Sequence, residues 1–377
     1  MTFSLWSRRI LLPFAVTRAG LLLVGVLALG LIGSVRDRMP GNLVAHLPAP
    51  LPLEIWARWD SEWYILIAEK GYQSGELLAR YGPNYHAEDA AGFFPLYPLL
   101  IRALAASGIG SLAAALLLSN LALLAALTLL HELIRDRCGD ETALSSVWAL
   151  LGFPTSLFLS AVYGESLSLA LTLGAFLAAR RGRWGWVALA GFFCALSRPT
   201  GLLVALPLAW EVLERRGGWR GWVSLGGFPA GTAAFSLYCS RAFGDPLAWV
   251  HRQERWRGVL SGPWRAFQRF LEHPPQIHGA HNSLLELVTA LVFLAALVPM
   301  VRRFPRSWGT HALLSVLVPL CSTLWSFGRL SLLTFPAFAL AGEASRRHPR
   351  FLPAYLSLCL PLGGLLMALF ACGWWAG

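Results

Sequence analysis

Apolar residues fill long, nearly unbroken blocks of this chain, and the longest, such as Leu112 to Leu130, contain no charge at all. About 20 such residues carry a helix across a bilayer. Runs of this kind predict spans at about Ile10 to Gly33, Ser111 to Ile134, Thr142 to Val162, Glu165 to Ala179, Trp184 to Leu196, Gly201 to Leu213, Trp222 to Ala242, Leu284 to Val301, His311 to Trp325, Leu330 to Ala341 and Leu352 to Trp374. Several are shorter than ~17 residues, so those helices are expected to be tilted, broken or capped inside the protein. Phe93 to Ala106 is apolar but short and is placed as a helix in the interface or dipping into it. The period-two alternation of a membrane barrel is absent. The predicted class is an all-α polytopic membrane protein, a single bundle over residues 1–377 of about eleven transmembrane helices.

Charge sets the orientation. With the N-terminus inside, eleven spans put Arg135 and Arg137; Arg180, Arg181 and Arg183; Arg215, Arg216 and Arg220; Arg302, Arg303 and Arg306; and Arg346, Arg347 and Arg350 on the cytoplasmic face. Counting Phe93 to Ala106 as a full span would move these clusters outside while leaving Arg8 and Arg9 inside. The outer face then carries two long loops, 34–110 and 243–283, with short turns near Tyr163, Arg198 and Arg329. Any chemistry is expected there, because the cytoplasmic loops are too short to hold a site. The multi-pass protein is expected in the plasma membrane, its first helix retained because the apolar run after Arg8 and Arg9 lacks a small-residue cleavage site.

Composition agrees: of 377 residues 56% are hydrophobic and 14% charged, with a mean hydropathy of +0.56, against about 25% charged in soluble domains. That excludes a soluble enzyme. The net charge of +11 lies in arginine clusters between apolar runs and not in one solvated stripe, so no nucleic-acid partner is implied. The six cysteines, with no Cys-x-x-Cys or partnering His, read as small apolar fillers.

In the first outer loop Trp56, Trp59, Trp63 and Ile67 recur at helical spacing, so Glu54 to Glu69 reads as an amphipathic helix along the membrane surface, with Asp60 and Glu62 near its middle. A solvated acidic face explains such carboxylates as readily as catalysis does. Arg198 and Arg329 sit at outer ends of spans, facing an interior cavity or snorkelling to headgroups; their absence from the basic side favours the cavity. Glu165 beside Tyr163 opens a span, where a carboxylate also suits the helix dipole. The second outer loop mixes Arg252, Arg255, Arg257, Arg265 and Arg269 with Trp249, Trp256 and Trp264, a composition suited to lipid headgroups and membrane anchoring. His251, His273, His278 and His281 lack metal-ligand spacing, and Arg18 inside the first span faces either the bundle or the interface.

Five strings occur in order: Trp59-Asp60 to Tyr72, Phe93 to Pro98, Pro154 to Ser166, Arg198-Pro199-Thr200-Gly201, and Phe327-Gly328-Arg329 with Phe335-Pro336. Together they resemble the PIG-V family of mannosyltransferases over about residues 54 to 342. The resemblance implies a GT-C-like bundle whose long first outer loop carries interfacial helices. It also implies transfer of a hexose, mannose in the family, from a polyprenyl-phosphate donor to a glycan or glycolipid acceptor on the outer face, with inversion. Asp60 matches the acidic residue taken as the base. Trp59, Glu62, Tyr97, Tyr163, Glu165, Arg198 and Arg329 are the candidate substrate-binding residues. No cofactor or metal is implied, since no carboxylate pair or His-x-x-x-His shares one helix face.

The chemistry suits those residue types. A hexose leaving a lipid phosphate needs a carboxylate for the acceptor's proton and cations for the departing phosphate. The alternative is a secondary transporter or lipid flippase, but those place ionisable groups near the midplane and show paired repeats. A membrane hydrolase would need a G-x-S-x-G or H-E-x-x-H string, which the chain lacks.

Overall fold

The computed structural model describes residues 3–33, 50–73, 75, 87–278 and 282–377; the rest of the first long loop and His281 lie outside the described residues. Among the described residues the protein is helical, with no β-strand. The first half comprises α1 (Phe3–Ile32), α2 (Leu51–Glu54), α3 (Ser61–Lys70), α4 (Leu96–Ala105), α5 (Ser111–Cys138), α6 (Asp140–Gly152), α7 (Glu165–Arg180) and α8 (Trp184–Ser197). There follow α9 (Ala205–Glu214), α10 (Gly218–Ser224), α11 (Gly227–Phe243), and the helices of the second long loop, α12 (Ala248–Arg257) and α13 (Arg265–Leu271). The chain ends with α14 (Leu284–Arg303), α15 (Arg306–Leu320), the single turn α16 (Phe327–Leu330), α17 (Phe335–Arg347) and α18 (Phe351–Ala371).

Among the described residues four helices, α1, α5, α14 and α18, are long and apolar enough to cross a membrane. The eleven expected runs therefore do not each fold as one full-length helix. The run from Thr142 to Val162 breaks first: α6 stops at Gly152 because Pro154 forces Phe153 into extended backbone (φ −61°, ψ 138°). Residues 153–164 then thread the buried interior largely as irregular chain with a short 3₁₀ turn at Ser156–Leu159. Irregular backbone at membrane depth needs internal partners. Arg18 of α1 supplies them, donating to the carbonyls of Ser156 at 2.7 Å and Leu151 at 3.2 Å. It thus faces the bundle, and its role is to satisfy the break.

The expected surface helix Glu54 to Glu69 is also two pieces, α2 and α3, with a turn over Ile55–Asp60. Tertiary bonds outcompete the helical ladder here. The Trp56 carbonyl accepts the Val162 N–H (3.1 Å) and the Arg58 carbonyl accepts the Tyr163 hydroxyl (3.0 Å). The fully buried Arg58 side chain meanwhile bonds to the Ala371 carbonyl at the end of α18. Nor does α3 lie flat on a membrane surface, since Ser61 to Trp63 and Ile65 to Ala68 are buried.

α5 packs against α7 and α6, α8 against α7 and α11, α6 against α17, and α1 against α18. The α8–α11 crossing is close because a Cβ on Gly227 or Gly231 would sit within 2.3 Å of the Ala188 or Phe192 carbonyl oxygen. At one end of the bundle, α12 packs on the 3₁₀ turn Ala87–Gly92, bringing the two long loops together. Gly92 permits this contact, since a Cβ there would lie 2.6 Å from the Trp256 ring. The fully buried Asp89 takes Arg252 and Arg255, each at 2.9 Å.

Candidate functional site

Beneath that junction lies a cavity of about 810 Å³, walled by the start of α3, the turns at Gly164 and Arg198, α12, the end of α15, α16 and residues 374–375. Its charged walls are Asp60, Glu165 and Glu254 against Arg198, Arg252, Arg257 and Arg329, four cations to three anions, formally +1. Tryptophans supply much of the remainder.

Arg329 is its centre. Its Nη1 donates to Asp60 Oδ2 at 2.7 Å, and its Nε lies 3.6 Å from Glu165 Oε1. The rings of Tyr163, Trp375 and Phe158 surround the guanidinium at 5.2, 5.3 and 5.5 Å, so cation–π attraction adds to the ion pairs. Three elements hold this turn. Gly328 N–H donates to Glu286 Oε2 (2.6 Å), the Gly328 carbonyl accepts from Thr155 Oγ1 (2.9 Å), and Ser326 adopts φ +64°. Asp60 heads α3 but makes no capping bond, its carboxylate being turned to Arg329. The preceding Trp59 adopts φ +57°. A bulky residue there costs about 1–3 kcal/mol, a strain characteristic of functional sites.

The Pro154 to Ser166 string brings these parts together. Pro154 breaks the helix, Thr155 ties to Gly328, Tyr163 ties to Arg58, and Glu165 reaches Arg329. The Arg198-Pro199-Thr200-Gly201 turn acts similarly. Pro199 forces Arg198 into extended backbone (φ −170°, ψ 159°) at the end of α8. A Cβ on Gly201 would stand 2.1 Å from the Cys194 carbonyl oxygen, so the close return of the chain requires glycine. Arg198 is thereby presented on the cavity wall, its Nε buried without a hydrogen-bond partner among the described residues.

Of the residues singled out in the sequence, Trp59, Asp60, Glu165, Arg198 and Arg329 line this cavity, and Tyr163 packs against Arg329 behind it. Glu62 and Tyr97 do not line it. Glu62, 2% exposed, projects from α3 into the interior, and Tyr97 Oη lies 2.6 Å from Ser119 Oγ. The structure adds two residues, Arg257, which the sequence reading placed among the membrane-anchoring residues of the second long loop, and Trp375, which it did not single out. Arg257, at the end of α12, enters the cavity with one partner among the described residues, the Trp325 carbonyl at 3.2 Å. Burial, reinforced by repulsion from Arg329 and Arg198, pushes its guanidinium down to about 10. Trp375, beyond the last span, turns back onto the wall, and its carbonyl accepts from His278 Nε2 at 2.8 Å. Neither carried a local signal, because both are delivered by loop closure.

The mannosyltransferase (PIG-V) family model matches residues 38–214. No curated protein matches the chain. Among solved structures, the Archaeoglobus fulgidus oligosaccharyltransferase in the apo form is similar at 14% identity and a TM-score of 0.48, over 96% of this chain and 56% of that one. The archaeal oligosaccharyltransferase AglB of A. fulgidus in complex with an inhibitory peptide and a dolichol-phosphate aligns at 14% identity and a TM-score of 0.49, over 97% and 56%. The chain thus spans little more than half the length of these archaeal enzymes. The family match takes in Asp60, Glu165 and Arg198 with the turns that present them, so over residues 38–214, a little under half of its length, the chain is similar to the PIG-V mannosyltransferases.

Proposed function

We propose that the protein transfers a hexose, mannose by family, from a polyprenyl-phosphate donor to a hydroxyl of a glycan or glycolipid, by single displacement with inversion, on the outer face of the plasma membrane. The observation that carries this reading is the division of the cavity's charge. Asp60 and Glu165 are held by one arginine, while Arg198 and Arg257 stand without a carboxylate partner among the described residues. Asp60 takes the proton of the attacking hydroxyl. Arg198 and Arg257 hold the donor phosphate. A phosphodiester carries one negative charge and the departing lipid phosphate gains a second, so two fixed guanidiniums bind the leaving group more strongly as the bond breaks.

Arg329 is moved by this reading from the phosphate, where the sequence alone placed it, to the base. It orients the Asp60 carboxylate by a charge-assisted bond and shares itself with Glu165. Neither Glu62 nor Tyr97 has a part at the donor in this scheme. The test is purified protein in liposomes, offered hexose on a synthetic polyprenyl phosphate or on a nucleoside diphosphate. Transfer from the lipid donor with an inverted anomeric centre supports the reading; use of the nucleotide sugar alone, or retention of configuration, overturns it.

A further inference from the structure

We propose that Trp375, with Trp59 beside it, forms an acceptor subsite that stacks a hexopyranose ring next to Asp60; the placement rests on the donor and base assignment above. The chain reverses after α18 at Gly373 (φ +96°), and the residues that follow are fixed in place. Ala376 is 1% exposed, the Trp375 carbonyl accepts from His278 Nε2 at 2.8 Å, and Ser326 Oγ donates to the Gly377 carbonyl at 3.2 Å. The Trp375 indole is thereby held 5.3 Å from the Arg329 guanidinium and edge-on to Trp59, ring centroids 5.7 Å apart. Trp325 closes the third side at 6.2 Å.

Two features fit a sugar better than a lipid tail. Indole faces are electron-rich, and the C–H face of a pyranose carries the complementary partial charge, so a flat ring gains by stacking. The indole N–H groups of Trp59 and Trp375 are buried without hydrogen-bond partners among the described residues, leaving donors that hydroxyl oxygens can meet. The subsite belongs to the acceptor because Trp59 directly precedes Asp60, the residue that takes the acceptor's proton.

The experiment compares octyl α-mannoside with 1-octanol as acceptors for purified protein supplied with polyprenyl-phosphate mannose, following donor consumption as well as product. Equilibrium binding of octyl α-mannoside is measured without donor. The wild type should bind the mannoside and use it at a lower KM than octanol. Trp375→Ala should raise the mannoside KM and Kd about tenfold while moving the donor KM less than twofold. Trp375→Phe, which keeps an aromatic face, should recover most of the loss, and unfolding temperatures of both variants should stay within a few degrees of the parent. The subsite is refuted if the wild type uses mannoside at no lower KM than octanol, if Trp375→Ala acts on the donor KM instead, or if Phe rescues nothing. Mannoside binding that depends on Trp375 in a protein that never consumes the lipid donor would leave the subsite standing and remove the donor assignment.

Discussion

Replacing Arg257 by Gln separates donor binding from folding, because the two effects come from different neighbours. In the cavity the guanidinium is held well below its ordinary value, down to about 10, by burial first and then by Arg329 and Arg198. Each unit is 1.36 kcal/mol, and discounting about half for its partial exposure leaves a penalty on the order of 1–2 kcal/mol for keeping it charged at pH 7. A base lowered in the folded state destabilises that state wherever it stays protonated, so the neutral Gln removes the penalty. Against this stands the lost bond to the Trp325 carbonyl, about 1 kcal/mol. The terms nearly cancel, and unfolding followed in detergent should change by no more than about 1 kcal/mol. A phosphate, by contrast, loses a charge-assisted hydrogen bond of about 1.5–3 kcal/mol, which is roughly a 10- to 150-fold rise in donor KM. Initial rates over a range of polyprenyl-phosphate mannose, with thermal unfolding of the same preparations, measure both. A large loss of stability with an unaltered donor KM would make Arg257 a structural residue and refute its place on the phosphate.

Arg329→Lys keeps the charge but cannot reach Asp60 and Glu165 together, so kcat should fall about 10²-fold with the donor KM less affected; an equal fall in kcat/KM through KM alone would return Arg329 to the phosphate. Gly201→Ala drives a Cβ against the Cys194 carbonyl, and thermal unfolding should show a loss of about 1–3 kcal/mol or more, together with a raised donor KM from displacement of Arg198; a neutral variant would show that the turn does not place Arg198. For orientation, a cysteine at the exposed Ser261 should react with a membrane-impermeant maleimide from outside and one at the exposed Glu214 should not; the reverse pattern would invert the topology.

The helical membrane class was legible because apolar runs and arginine clusters are local signals. The helix breaks were partly legible. The turn at Pro199 was read from the sequence, but the span Thr142 to Val162 was drawn across Pro154, and the division of Glu54 to Glu69 depends on Val162 and Tyr163 capturing the carbonyls of Trp56 and Arg58 from far along the chain. Much of the cavity wall was legible through the motif strings, including Asp60, Glu165, Arg198 and Arg329. What the strings did not contain was pairing. Nothing local says that Arg329 would be held by two carboxylates, that Arg252 and Arg255 would pair with Asp89, or that Arg257, two positions after Arg255 and five after Arg252, would be left for the cavity. Glu62 is the converse case, a carboxylate adjacent in sequence to the site that the turn of α3 directs away from the cavity.

The most direct measurement is the rate of hexose transfer by Asp60→Asn beside its affinity for polyprenyl-phosphate mannose. Asn keeps the size of the side chain and can still accept a bond from Arg329 Nη1, but it has no carboxylate to take a proton. Transfer is expected to fall by ~10² to 10⁴ while donor affinity and expression persist and Glu62→Gln remains mild. Retention of most transfer by Asp60→Asn, or its loss in Glu62→Gln instead, would contradict the assignment of Asp60 as the base.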